Sequence, residues 1–102
     1  MENINDIPEI NPDIAKEAGD IIAFALLNEI KIESVEPDVL GGVAIYISNE
    51  LSKGYEFKQL WISLLNNKSK TIISYDAESP AKLLSNYIDF TIIMDYLFSD
   101  TD

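Results

Sequence analysis

Residues 41–65, GGVAIYISNELSKGYEFKQLWISLL, decide the fold class of this chain. Apolar residues alternate with others over Val43–Ser48 and again over Tyr55–Leu65, as they do in strands with one buried face. The polar segment Asn49–Gly54 between them is typical of a hairpin connection. The stretch therefore predicts two antiparallel strands. Their predicted core residues are Val43, Ile45, Ile47, Leu60, Ile62 and Leu64.

The other face of the same two strands is aromatic. Alternation places Tyr46, Phe57 and Trp61 there, together with Tyr55 and Gln59. If helices cover the first face, these aromatics are exposed to water, and such a group is typical of binding hot spots. The alternatives are that the N-terminal helix or arm covers them, or that they form a homodimer contact.

A long helix is predicted before the strands. Asn11, Pro12 and Asp13 form a helix start, with Asn as the cap, Pro at the first position and Asp at the positive end of the dipole. The helix should run to about Lys31, and residues 32–40 should form a connection that Pro37 keeps from being helical. Residues 1–10 are expected to be an extended arm.

The second half of the chain predicts further strands and a short helix. A turn at Asn66–Ser69 leads into a third strand, Lys70–Tyr75. Residues 79–88 fit either a helix or a fourth strand, and the strand is favoured because Asp89 caps a clearer helix, Phe90–Phe98. Helix, meander and helix predict an α+β fold: one domain over residues 1–102, an antiparallel meander of three or four strands, and helices mainly on one sheet face.

Composition restricts the function. The 102 residues hold 18 acidic residues and 7 lysines, for a net charge of −11, and contain no Arg, His or Cys. This field repels nucleic acid and anionic membranes and favours basic protein partners. Catalytic sites built on Ser-His or Cys-His pairs are excluded. We expect no enzyme and no cofactor. A cytoplasmic location is expected, because no signal peptide is evident and the longest apolar run is far below the ~20 residues that cross a bilayer.

Two acidic groups are candidates for a binding surface. They are Asp13, Glu17 and Asp20 on the helix, and Glu33, Glu36 and Asp38 in the connection. Either group has the oxygen ligands that a hard cation prefers, but no EF-hand pattern is present, so we expect no metal. The alternatives are solvated surface and electrostatic steering of a basic partner.

The outline resembles a loose group of small bacterial and phage proteins. The resemblance is carried by Pro37, Gly41-Gly42 before the strand Val43–Ser48, the turn Asn66–Ser69 and the helix Phe90–Phe98. Members of this group look like antitoxin, immunity or inhibitor proteins, which implies a non-catalytic protein that binds and neutralises a basic macromolecule. Two alternatives stay open: a structural or assembly subunit that acts as a homodimer, and a DNA mimic whose acids are spaced like phosphates.

Overall fold

The computed structural model describes residues 9–76 and 79–99. The elements in chain order are α1 (Pro12–Leu27), β1 (Lys31–Pro37), β2 (Gly42–Ser48), β3 (Lys58–Leu65), β4 (Lys70–Asp76), β5 (Ser79–Ser85) and α2 (Phe90–Phe98). Most of the predicted N-terminal arm lies outside the described residues. Among these residues, neither helix is long and apolar enough to cross a membrane.

The strands form one antiparallel sheet in the order β1-β2-β3-β4-β5, so each strand pairs with its neighbour in sequence. The register sets Ile45 opposite Ile62 and Ile62 opposite Ile72, which lines up the core side chains across the central strands. The α+β class is confirmed, with a helix first and a short helix last. The predicted count of three or four strands is wrong, because the sheet has five.

The extra strand is β1, in the segment predicted to be a connection. The helix ends earlier than predicted, at Leu27. The side-chain Nδ2 of Asn28 donates to the Phe24 carbonyl (2.8 Å), and Glu29 has a φ of 57°. The strand β1 then follows, and Pro37 ends it at an edge of the sheet, where a missing N–H is tolerated. A bulge between Ile32 and Ser34 interrupts its alternation.

In the second half of the chain, the strand predicted within residues 79–88 is confirmed, whereas the predicted start of β3 is wrong. The strand favoured within residues 79–88 is confirmed as β5, Ser79–Ser85, and Asp89 caps α2 as predicted by accepting from the Thr91 N–H (2.8 Å). β3 begins at Lys58, later than the predicted start at Tyr55. The ring of Tyr55 instead makes an edge contact with Phe98 of α2, at a centroid distance of 5.6 Å.

Both helices pack on one face of the sheet. The predicted strand residues of this face are buried in one cluster with Ile14 and Ile21 of α1 and with Ile93 and Leu97 of α2. The stacked rings of Phe24 and Phe90, 4.2 Å apart, connect the two helices. The opposite face, here called the open face, carries no helix of residues 9–76 or 79–99.

Asn49 holds the sheet and α2 together at the end of β2, and it is 1 % exposed. Its Nδ2 donates to the carbonyls of Glu56 (2.7 Å) and Leu97 (2.8 Å), while its Oδ1 accepts from the Lys58 N–H (2.9 Å). One side chain therefore joins the connection after β2, the start of β3 and the last turn of α2.

Candidate functional site

Three aromatic rings stack across the open face. Tyr46 of β2 lies opposite Trp61 of β3, with ring centroids 6.1 Å apart, and Trp61 stacks on Tyr75 of β4 at 5.1 Å. The interplanar angles are 29° and 18°. The indole N–H of Trp61 donates to Gln59 Oε1 (2.8 Å), which further fixes the ring. These three residues form the aromatic ladder, and cross-strand ring pairs of this kind stabilise a sheet.

The aromatic ladder lies at the surface of the described chain. Tyr75 is 40 % exposed, and Tyr46 and Trp61 are half-buried. Phe57 is 44 % exposed, but it precedes β3 and makes no ring contact with another described aromatic. The structure therefore brings together two of the three predicted aromatics. It adds Tyr75, which sequence reasoning missed; pairing the second and third predicted strands across the Asn66–Ser69 turn was the available signal.

Carboxylates from β1 reach the same face. Ser34 lies opposite Tyr46 and Glu36 opposite Ala44, so both alternate onto the open face. Glu36 Oε2 accepts a hydrogen bond from Ser34 Oγ (3.2 Å). Glu33, the extra residue of the bulge, accepts from Ser48 Oγ (2.7 Å). Two of the predicted acids thus share a face with the aromatic ladder.

Lys31 compensates charge at the other end of β1. Its Nζ lies 2.7 Å from Glu50 Oε1 and 3.8 Å from Glu33 Oε1. The hydrogen bond to Glu50 raises the pKa of Lys31, and the same bond lowers the pKa of Glu50. Lys31 is therefore engaged by two carboxylates, and Glu36 has no ion pair within residues 9–76 and 79–99.

The three predicted acids on the helix lie elsewhere. Because α1 covers the core face, these acids and the aromatic ladder are on opposite layers of the protein. Each helical acid also has a lysine partner. The pairs are Asp13–Lys68 (3.6 Å), Glu17–Lys70 (3.4 Å) and Asp20–Lys16 (3.7 Å). The six predicted acids therefore do not form a single surface.

The turn between β1 and β2, residues Asp38–Gly41, exposes apolar side chains and is here called the hairpin tip. Val39 and Leu40 are each 75 % exposed. Asp38 Oδ1 accepts from the Leu40 N–H (2.8 Å), and the Asp38 carbonyl accepts from the Gly41 N–H (2.8 Å). Two exposed apolar side chains are thus presented on an ordered turn. Sequence reasoning assigned Asp38 to a surface group and missed its two neighbours.

The described residues contain no group of three or more His, Cys, Asp or Glu placed to hold a metal ion. In the same part of the chain, every fully buried side-chain nitrogen or oxygen has a hydrogen-bond partner. No protein-family model matches this sequence, and neither a curated protein nor a solved structure matches it significantly.

Proposed function

We propose that this chain is a non-catalytic binding protein that captures and neutralises a basic protein through the open face of its sheet. The observation that carries the proposal is the aromatic ladder, stacked and partly exposed on the helix-free face, with carboxylates on the neighbouring strand. The earlier resemblance to antitoxin, immunity and inhibitor proteins agrees with this proposal and stays a prediction.

The aromatic ladder suits an anchor for physical reasons. Trp and Tyr contribute most of the binding energy in many interfaces, and they do so where they are well packed. Rings that are already stacked lose little side-chain freedom on binding, which lowers the cost of association. Val39 and Leu40 of the hairpin tip, each 75 % exposed, add a second apolar surface at the end of β1.

Charge indicates the kind of partner. The net charge is −11. Glu36 lies on β1, the strand beside the aromatic ladder, and Asp38 lies in the turn that follows; neither has a lysine partner in the described residues. Negative groups beside an apolar anchor accelerate association with a basic surface and disfavour acidic competitors.

The two other hypotheses have less support. A homodimer through the open face would bring two chains of charge −11 together, and like charges oppose that contact. A DNA mimic needs an array of unpaired negative groups, whereas the helical acids Asp13, Glu17 and Asp20 are each paired with a lysine.

The test begins with affinity capture from the native cell and mass spectrometry of the retained proteins. Binding of the purified partner is then compared for wild type, Trp61→Ala and Tyr87→Ala. The control Tyr87 is an exposed aromatic outside the aromatic ladder (56 % exposed). We expect Trp61→Ala to weaken binding about 30-fold, equivalent to ~2 kcal/mol, and Tyr87→Ala to change it less than twofold.

Equal affinities for wild type and a folded Trp61→Ala variant would refute the proposal. If Trp61→Ala does not fold, Trp61 belongs to the structural framework, and Tyr75→Ala at the exposed side of the ladder replaces it in the same comparison.

Electrostatic steering of the basic partner is tested with two double variants. Glu36→Lys with Asp38→Asn changes the charge at this end of the sheet by +3, and the Asn keeps the side-chain oxygen that accepts from the Leu40 N–H. Asp20→Lys with Asp95→Asn makes the same charge change on the helical layer. We expect the first pair to slow association at least ~10-fold at low salt, and the second pair much less. Equal effects would show that only net charge matters.

A further inference from the structure

Tyr46 ends the aromatic ladder on the side of β1. One face of its ring stacks on Trp61, and the other is turned toward the edge strand, where Ser34 is its partner in the register. A serine side chain is too short to cover a phenol ring. On β1, no large side chain is therefore paired with Tyr46 in the way that Trp61 is on the other side.

A carboxylate lies beside Ser34. Glu36 is on the same strand and the same face as Ser34, and its Oε2 is 3.2 Å from Ser34 Oγ. The hydrogen bond holds the carboxylate beside Ser34, the residue that pairs with Tyr46. Glu36 is exposed, and among residues 9–76 and 79–99 it has no ion pair.

The nearest cation on the strand does not pair with this carboxylate. Lys31 pairs with Ser48, on the other side of Ser34 from Glu36, and its Nζ is held by Glu50 (2.7 Å) and Glu33 (3.8 Å). Strand pairing thus places three groups side by side: the ring of Tyr46, the short side chain of Ser34 and the carboxylate of Glu36.

We propose that Tyr46, Ser34 and Glu36 form a slot for a single arginine side chain of the protein partner. The guanidinium is planar and weakly hydrated, so it stacks on the phenol ring while its N–H groups donate to the carboxylate. Lysine satisfies the charge but not the planar stack. This inference rests on the proposed function and names the side chain that the open face selects.

The probe is the blocked tripeptide acetyl-Gly-Arg-Gly-amide, titrated into the isotopically labelled protein and followed by NMR. Matched peptides carry lysine or citrulline, the latter having nearly the shape of arginine without its charge. We expect saturable shifts centred on Ser34, Glu36 and Tyr46 for arginine, at least about threefold weaker binding for lysine, and no saturable shifts for citrulline.

Three variants locate the binding. Glu36→Gln keeps the shape of the side chain and should weaken arginine binding at least ~5-fold. Ser34→Phe fills the slot and should abolish binding, whereas Asp95→Asn on α2 removes a charge from the other layer and should leave binding unchanged. If Ser34→Phe does not fold, Glu36→Gln decides.

Equal binding of citrulline, or no effect of Glu36→Gln, would overturn the slot. The outcome is separable from the proposed function. A partner whose affinity depends on Trp61 but not on Glu36 would refute the slot alone, and a partner indifferent to Trp61 would refute the proposed function while saturable arginine binding could still stand.

Discussion

Replacing Asn49 tests whether its side chain joins the sheet to α2. Asn49→Ala removes three hydrogen bonds of 2.7, 2.8 and 2.9 Å from a side chain that is 1 % exposed. Each contributes about 1 kcal/mol net, and leaving the buried backbone partners unpaired adds to the loss, so we expect ~3–5 kcal/mol of destabilisation. This is a large part of the roughly 5–15 kcal/mol that stabilises a domain.

The assay is urea unfolding followed by circular dichroism. Asn67→Ala is the matched control, because Asn67 is exposed and its side chain accepts a single hydrogen bond, from the Ser69 N–H (2.9 Å). We expect the control to cost about 1 kcal/mol or less. A loss below 1 kcal/mol for Asn49→Ala would show that Asn49 does not join the sheet to α2.

Asn49→Asp adds a pH-dependent form of the same test. The introduced carboxyl group keeps the acceptor for Lys58 N–H but faces the carbonyls of Glu56 and Leu97, so burial and the loss of donors should raise its pKa above the unfolded value of about 3.9. An acid with a raised folded pKa is best tolerated at low pH. The stability deficit relative to wild type should therefore grow as pH rises through the folded pKa. A deficit independent of pH would contradict this.

Three further predictions concern the fold. Gly42 (φ 131°) and Gly54 (φ 89°) both have a positive φ that disfavours alanine, but a Cβ on Gly42 would also overlap Leu64 O. Thermal unfolding should therefore show Gly42→Ala to be less stable than Gly54→Ala by at least ~2 kcal/mol, and equal stabilities would contradict this. Gly19→Ala, with nothing within 4 Å of the new Cβ, should stabilise the helix by about 0.5–1 kcal/mol, and a loss would reveal a contact there. Burial raises the pKa of Tyr96, so the free energy of unfolding should fall as pH rises above about 10. Tyr96→Phe should reduce that fall, and an unchanged pH dependence would show that Tyr96 does not cause it.

The central strands and helix caps could be predicted because local pattern determines them. Strict alternation marked the core of β2 and β3, and Asp89 marked the start of α2. β1 could not be predicted, since the bulge at Glu33 breaks the period of two and Pro37 is normally a sign of a loop. Its strand character depends on pairing with β2, which no local signal in its own sequence shows.

The candidate site could likewise be predicted only in part from the sequence. Alternation placed Tyr46 and Trp61 on one face, but the inclusion of Tyr75 depends on the register between β3 and β4. The charge balance of α1 depends on Lys68 of the Asn66–Ser69 turn and Lys70 at the start of β4, both more than 50 residues later in the chain. Such contacts follow from tertiary packing and cannot be derived from the helix alone.

Binding through the open face requires that the aromatic ladder face water in the free protein, and Trp61, the only tryptophan in the sequence, reports on this directly. The measurement is quenching of its fluorescence by acrylamide, caesium and iodide, each normalised to N-acetyltryptophanamide. We expect clear quenching of the folded protein by acrylamide, and stronger quenching by caesium than by iodide, because carboxylates flank the open face. Acrylamide quenching that appears only after unfolding would contradict it.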